Sequence, residues 1–210
     1  MYKRQAFAPL IQAEADALLR DGVAYLQFDG CAYDPLYESA AGSMLDVPDA
    51  NATSTFDDLL DIDRALVAAL AKAPNATVGV HVSRMAALHD TSDRFERMAM
   101  RLFEALPSDR LLLEYGEPAS HDFQCLAAMP EGRVAVLGLV RTEAEPEGIN
   151  ELIGRLERAA CYTDERNLAL SPRRGFGNPP GSSAEAMLAA QRETLVRASE
   201  VVQQFWGLEV

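Results

Sequence analysis

Two hydrophobic periods alternate along this chain. Short runs, apolar at nearly every position, occur at Val23–Asp29 (VAYLQFD), Thr77–Val82 (TVGVHV), Leu111–Tyr115 (LLLEY), Val134–Val140 (VAVLGLV) and Asn167–Ser171 (NLALS). Strands covered by helices on a parallel sheet read this way. Stretches with helical spacing lie between them. Pro9 to Arg20 is rich in Ala and Leu, with Gly22 as a stop. Leu59 to Lys72 repeats apolar residues at helical spacing, Ser92 can cap a helix reaching Leu106, and Ala119–Met129 is a shorter helical segment. Ile149, Leu152, Ile153, Leu156 and Ala160 form an i, i+3, i+4, i+7, i+11 stripe. Ser182 and Glu185 have capping-box spacing ahead of a final helix that extends to about Gln204.

A helix followed by five β–α pairs is the order of parallel strands joined by helical crossovers, and it predicts an α/β fold. No linker, repeat or low-complexity tract interrupts residues 1–210, which are expected to form a single domain. Asp34–Phe56 reads as a long connection, and Asn178–Gly181 as another loop; each follows a strand, where α/β proteins often place function. Five strands suit either a complete doubly wound sheet or part of an eight-stranded barrel. The chain opens on a helix and lacks the glycine-rich phosphate loop that many doubly wound domains carry after their first strand. Both points favour the barrel.

Composition narrows the class. With 19 Lys and Arg against 32 Asp and Glu, the net charge is −13, which argues against nucleic acid or an anionic membrane as the main partner. No apolar run approaches the length of a membrane span, and nothing near Met1 reads as a signal peptide. Three cysteines, Cys31, Cys125 and Cys161, are odd in number and contain no C-x-x-C pair, so a reducing, cytoplasmic setting is expected.

Polar residues gather at the carboxyl ends of the strands, where α/β proteins keep their sites. Gln27 and Asp29 end the first run, His81 and Ser83 follow in HVSR, and Glu114 sits inside LLLEY. Arg141 and Thr142 follow the fourth, and Ser171-Pro172-Arg173-Arg174-Gly175-Phe176-Gly177 the fifth. Taken singly, each also suits a structural role: a satisfied histidine, a glutamate paired with arginine, an ordinary turn. Together they point to a site, because charges rarely enter strand cores without a partner.

These segments carry a resemblance. YLQFDGCAYDPLYE, VGVHVSR, LLLEYGEPASHDF, VAVLGLVRTE and NLALSPRRGFG resemble, in this order, motifs of the cobalamin-independent methionine synthase family, from about residue 10 to the C-terminus. The resemblance implies a (β/α)8 TIM-barrel fold, of which this chain would hold the last five β/α units, as though N-terminally truncated. It implies a methyltransferase of methionine biosynthesis that moves a methyl group from 5-methyltetrahydrofolate to a zinc-bound homocysteine thiol. In that family a histidine, two cysteines and a glutamate bind the zinc. His81 and Glu114 match two of those ligands, and Asp29 matches the aspartate that holds the substrate amino group, with Gln27 beside it. The two cysteine positions hold Ser83 and Arg174. A neutral serine is a poor zinc ligand and an arginine cation cannot be one, so zinc binding is expected to be weakened or lost. The alternative is a zinc-free pseudoenzyme, or a small-anion-binding module that uses Arg174. Open barrel edges predict self-association.

Overall fold

The structure, a computed structural model, describes residues 2–29, 50–70, 76–82, 93–115, 123–142, 146–173, 175–176 and 183–208; the side chains at 2–7, 50–56 and 93–98 fall outside that description. The described elements are α1 (Tyr2–Arg20), β1 (Tyr25–Asp29), α2 (Ala50–Leu70), β2 (Thr77–Val82), α3 (Asp93–Ala105), β3 (Arg110–Glu114), β4 (Val134–Val140), α4 (Ile149–Ala160), β5 (Leu168–Pro172) and α5 (Ala184–Trp206). Short 3-10 helices at Gln124–Ala128 and Glu165–Asn167 complete the connections.

The five strands form one sheet in chain order, β1-β2-β3-β4-β5, and every neighbouring pair is parallel. A flavodoxin-type sheet would instead place its second strand at an edge. The barrel-type order is therefore the observed one, as a five-strand segment among the described residues. Alternation along each strand divides the sheet into two faces. Val78, Val80 and Val82 of β2, Leu111 and Leu113 of β3, and Leu137 of β4 are buried among Val67, Leu102, Phe103, Leu156 and Val201 of the helices. The opposite row carries Tyr25, Gln27 and Asp29, then Gly79 and His81, then Arg110, Leu112 and Glu114.

Polar ties hold the helix layer to the sheet. Arg133, entering β4, donates to the Phe103 and Leu106 carbonyls at 2.6 and 2.5 Å and so satisfies the end of α3. Asp109, entering β3, accepts from the Val78 backbone N–H at 2.7 Å. Thr194 of α5 donates to the Ala190 carbonyl at 3.0 Å and reaches the Arg141 carbonyl at 3.5 Å.

Several boundaries differ from those expected. The first helix does not start at Pro9 but runs from Tyr2, with Pro9 inside it at the loss of one backbone hydrogen bond. Its end is as expected: Gly22, at φ +91°, donates to the Leu19 carbonyl in a left-handed stop. The second helix begins at Ala50, so the end of the stretch expected as connection is helical. Once the apolar stripe nucleates a helix, extending it through Ser and Thr costs only tenths of a kcal/mol per residue, roughly. The last helix is capped by Ser183, whose Oγ accepts from the Ala186 N–H at 3.2 Å, and not by Ser182. The Ala119–Met129 segment contributes only the 3-10 turn at Gln124–Ala128 among its described residues.

Candidate functional site

In-register pairing of β1, β2 and β3 places Asp29 beside His81 and puts Glu114 at the end of the next strand. His81 bridges the two carboxylates. Its Nδ1 lies 3.0 Å from Asp29 Oδ1 and its Nε2 lies 3.1 Å from Glu114 Oε1. An ionised carboxylate only accepts, so engaging both ring nitrogens calls for the imidazolium form. The hydrogen bond to Glu114 raises the His81 pKa, burial works against that rise, and the Asp29 hydrogen bond adds to it. The net shift is upward.

The environment of the two acids differs. The Glu114 side chain is 7% exposed and that of Asp29 64%. The Asp29 carboxylate is thus largely open to solvent, while Glu114 holds the histidine from the buried side. Gln27 does not join this group. It lies two residues earlier on the same row, and its Oε1 accepts from the Tyr25 hydroxyl at 3.1 Å. Tyr25 crosses Gly79, where an added Cβ would run into its hydroxyl, and the Arg110 guanidinium sits 5.8 Å from the Tyr25 ring centre.

A second polar group forms at the ends of β4 and β5, where Arg141 and Arg173 stood out in the sequence and Glu147 did not. Glu147 is buried and accepts from the Arg141 backbone N–H at 2.9 Å and from Arg141 Nε at 3.1 Å. Arg173 Nη2 lies 3.5 Å from the same carboxylate. Burial is the largest influence on Glu147 and pushes its carboxyl up, but backbone and guanidinium hydrogen bonds together outweigh it and leave the pKa lowered. Gly138 makes this close packing possible. A Cβ there would lie 3.1 Å from the Arg173 backbone, beside the irregularity at which β4 and β5 shift register.

Zinc, implied by the resemblance, can be tested against this donor set. A metal needs several donors converging on one point, about four for zinc. Here the carboxylates of Asp29 and Glu114 converge on the nitrogens of His81 instead. Among the described residues no set of three His, Cys, Asp or Glu is arranged to hold a metal ion. His81 Nε2 and Glu114 Oε1, expected as ligands, lie 3.1 Å apart, close enough for both to reach one ion, and no third such donor stands with them among the described residues. Ser83, Arg174 and Cys31 lie outside the described residues. No helix among the described residues is long and apolar enough to cross a membrane.

No protein-family model matches the chain, and no curated protein does. Solved structures do. A protein from Listeria monocytogenes assigned as a vitamin-B12 independent methionine synthase matches with a TM-score of 0.64 and 20% identity, over 94% of this chain and 54% of that one. A B12-independent methionine synthase from Shewanella sp. W3-18-1, in complex with selenomethionine, matches with a TM-score of 0.63 and 17% identity, over 96% and 55%. The chain spans just over half the length of these two proteins. At such identity the likeness establishes the fold: this is an α/β chain of the barrel type found in B12-independent methionine synthase structures.

Proposed function

We propose that this chain is a relative of the methyl-transferring barrel of cobalamin-independent methionine synthases. In this form it keeps the amino-acid-binding side of that site, and the zinc side is incomplete. The observation that carries the reading is His81 held between Asp29 and Glu114 at the carboxyl ends of three adjacent strands. The exposed carboxylate of Asp29 suits an ammonium ion, and a homocysteine-like or methionine-like amino acid brings one. The selenomethionine in the Shewanella neighbour supports that ligand class.

In this reading Asp29 takes the amino group through its exposed carboxylate, in a charge-assisted hydrogen bond. His81 fixes the Asp29 rotamer, and Glu114, buried, fixes His81 in turn. Methyl transfer to a thiol would need that thiol as its anion. Zinc supplies this in the family, and with Ser83 and Arg174 at the two cysteine positions the ligand set here is incomplete. The chain by itself is therefore expected to bind the amino acid without methylating it. A small-anion role for Arg174 is the second reading; the neighbouring Arg173, already engaged with Glu147, speaks for a structural use of this loop.

Titration calorimetry with L-homocysteine and L-methionine tests the proposal. Binding that falls by about tenfold or more in Asp29→Asn is expected, the usual scale for losing a charge-assisted bond. No binding to the unaltered chain, or equal binding to the variant, overturns it. Elemental analysis after dialysis against trace zinc should find well under one zinc per chain; a full equivalent would restore the metal-dependent methyltransferase reading.

A further inference from the structure

Exposed large apolar side chains are unevenly spread over this molecule. Among the described residues, nine of the eleven lie on the first unit, α1 and β1 with the residues joining them, or on the last, α5 and the residue after its stop. These units flank the two open edges of the sheet: among the described residues no strand pairs with the outer side of β1 or of β5. Exposed apolar area on this scale marks an interaction surface, and an unpaired edge is a template for another strand.

The two outer helices match each other. On α1, Leu10, Glu14 and Leu18 follow one another at i, i+4, i+8 and so share a face. On α5, Leu188, Arg192 and Val196 have the same spacing. Leu10 is 64% exposed and Leu188 65%. Glu14 and Arg192 are exposed, and neither has an ion-pair partner among the described residues. Each face is thus an apolar–charged–apolar stripe, acidic on α1 and basic on α5. Laid in parallel, as neighbouring helices of a barrel lie, the stripes set Leu10 against Leu188, Glu14 against Arg192 and Leu18 against Val196.

We propose that the chain forms a two-fold dimer in which α5 of each copy packs in parallel against α1 of the other, with Glu14 paired to Arg192 across each contact. A two-fold axis parallel to the strands also brings the free side of β5 alongside the free side of β1 in the second copy. One contact, used twice, then covers both edges and closes the assembly, as closed symmetry requires. The inference does not rest on the amino-acid site.

Size-exclusion chromatography with light scattering, at micromolar concentrations of the 210-residue chain, should give twice the chain mass of 22.9 kDa. Glu14→Arg and Arg192→Glu place like charges together, and each should weaken the dimer by about tenfold or more. The double variant, with the charges exchanged, should recover most of that loss. Both positions are exposed, so folding is unaffected and circular dichroism checks it. A monomer at all concentrations, an open-ended series of larger species, single variants without effect, or a double variant no better than the singles would each overturn the proposal.

Discussion

The two polar groups at the strand ends are built from the same kinds of residue in opposite proportion. Around His81 one cation sits between two acids; around Glu147 one acid sits against Arg141 and Arg173. The Glu147 side chain is 2% exposed and bonds both backbone and side chain of Arg141, so it fastens the end of β4 to the start of α4. The His81 group ends on a carboxylate that is largely exposed. A charge buried on all sides serves the fold, and a charge chain with one open end can serve a ligand. The difference is why the proposed function is placed at β1–β3, with β4–β5 as its frame.

The largest expected effect lies in the frame. Glu147→Ala leaves Arg173, whose side chain is 12% exposed, without its counter-charge, and removes an acceptor from the Arg141 backbone N–H. Breaking a buried pair costs about 3–5 kcal/mol, and the partial exposure of Arg141 points to the lower end. Urea unfolding should show that loss. A change below about 1 kcal/mol, within the range of surface pairs, would show that the two groups are alike after all.

An intermediate effect is expected from pH, and it separates the groups by sign. The Glu147 pKa is lowered in the fold, so its contribution is present above the unfolded value, about 4.3, and fades as pH falls through the lower folded value. The His81 pKa is raised, so its contribution is full below about 6.5 and is lost as pH rises through the higher folded value. Stability measured from pH 3 to 9, taken here as roughly the span of the two windows, should therefore decline on both sides. His81→Gln should flatten the alkaline decline alone, and Glu147→Ala should flatten the acid one. An alkaline decline unchanged in His81→Gln would remove the imidazolium from the account.

Much of this was legible in the sequence, for reasons that particular residues make plain. β2 and β4 have the expected bounds, because TVGVHV and VAVLGLV are apolar runs with polar residues at both ends. Asp29, His81 and Glu114 stood out as charges inside or ending such runs, and the fold brings them within hydrogen-bond reach through simple register. Glu147 did not stand out. It is one acid among several in EAEPEG, and only the folded chain distinguishes the one that turns inward. Arg155 was hidden likewise, inside a stripe read by its leucines, yet it is buried in α4. Ser182 and Ser183 are both good caps, and a one-residue choice between them depends on how the preceding loop arrives.

The smallest expected effect is the one that most sharpens the comparison. Asp29→Asn keeps the shape of the side chain and removes one charge from a residue that is 64% exposed. Water already screens that charge, so the Asp29–His81 pair should contribute little to stability, within about 0.5 kcal/mol. His81 would still have Glu114, the buried partner and the largest cause of its raised pKa. The variant should therefore unfold at nearly the same urea concentration as the parent, and keep most of the alkaline decline. If Asp29 serves a ligand, the same substitution should reduce amino-acid binding, so that stability and binding part company at one residue. A loss of more than about 1 kcal/mol in unfolding, measured beside Glu147→Ala, would mean that Asp29 holds the sheet edge together. The open end of the charge chain would then be part of the frame, and the division between the two regions would fall.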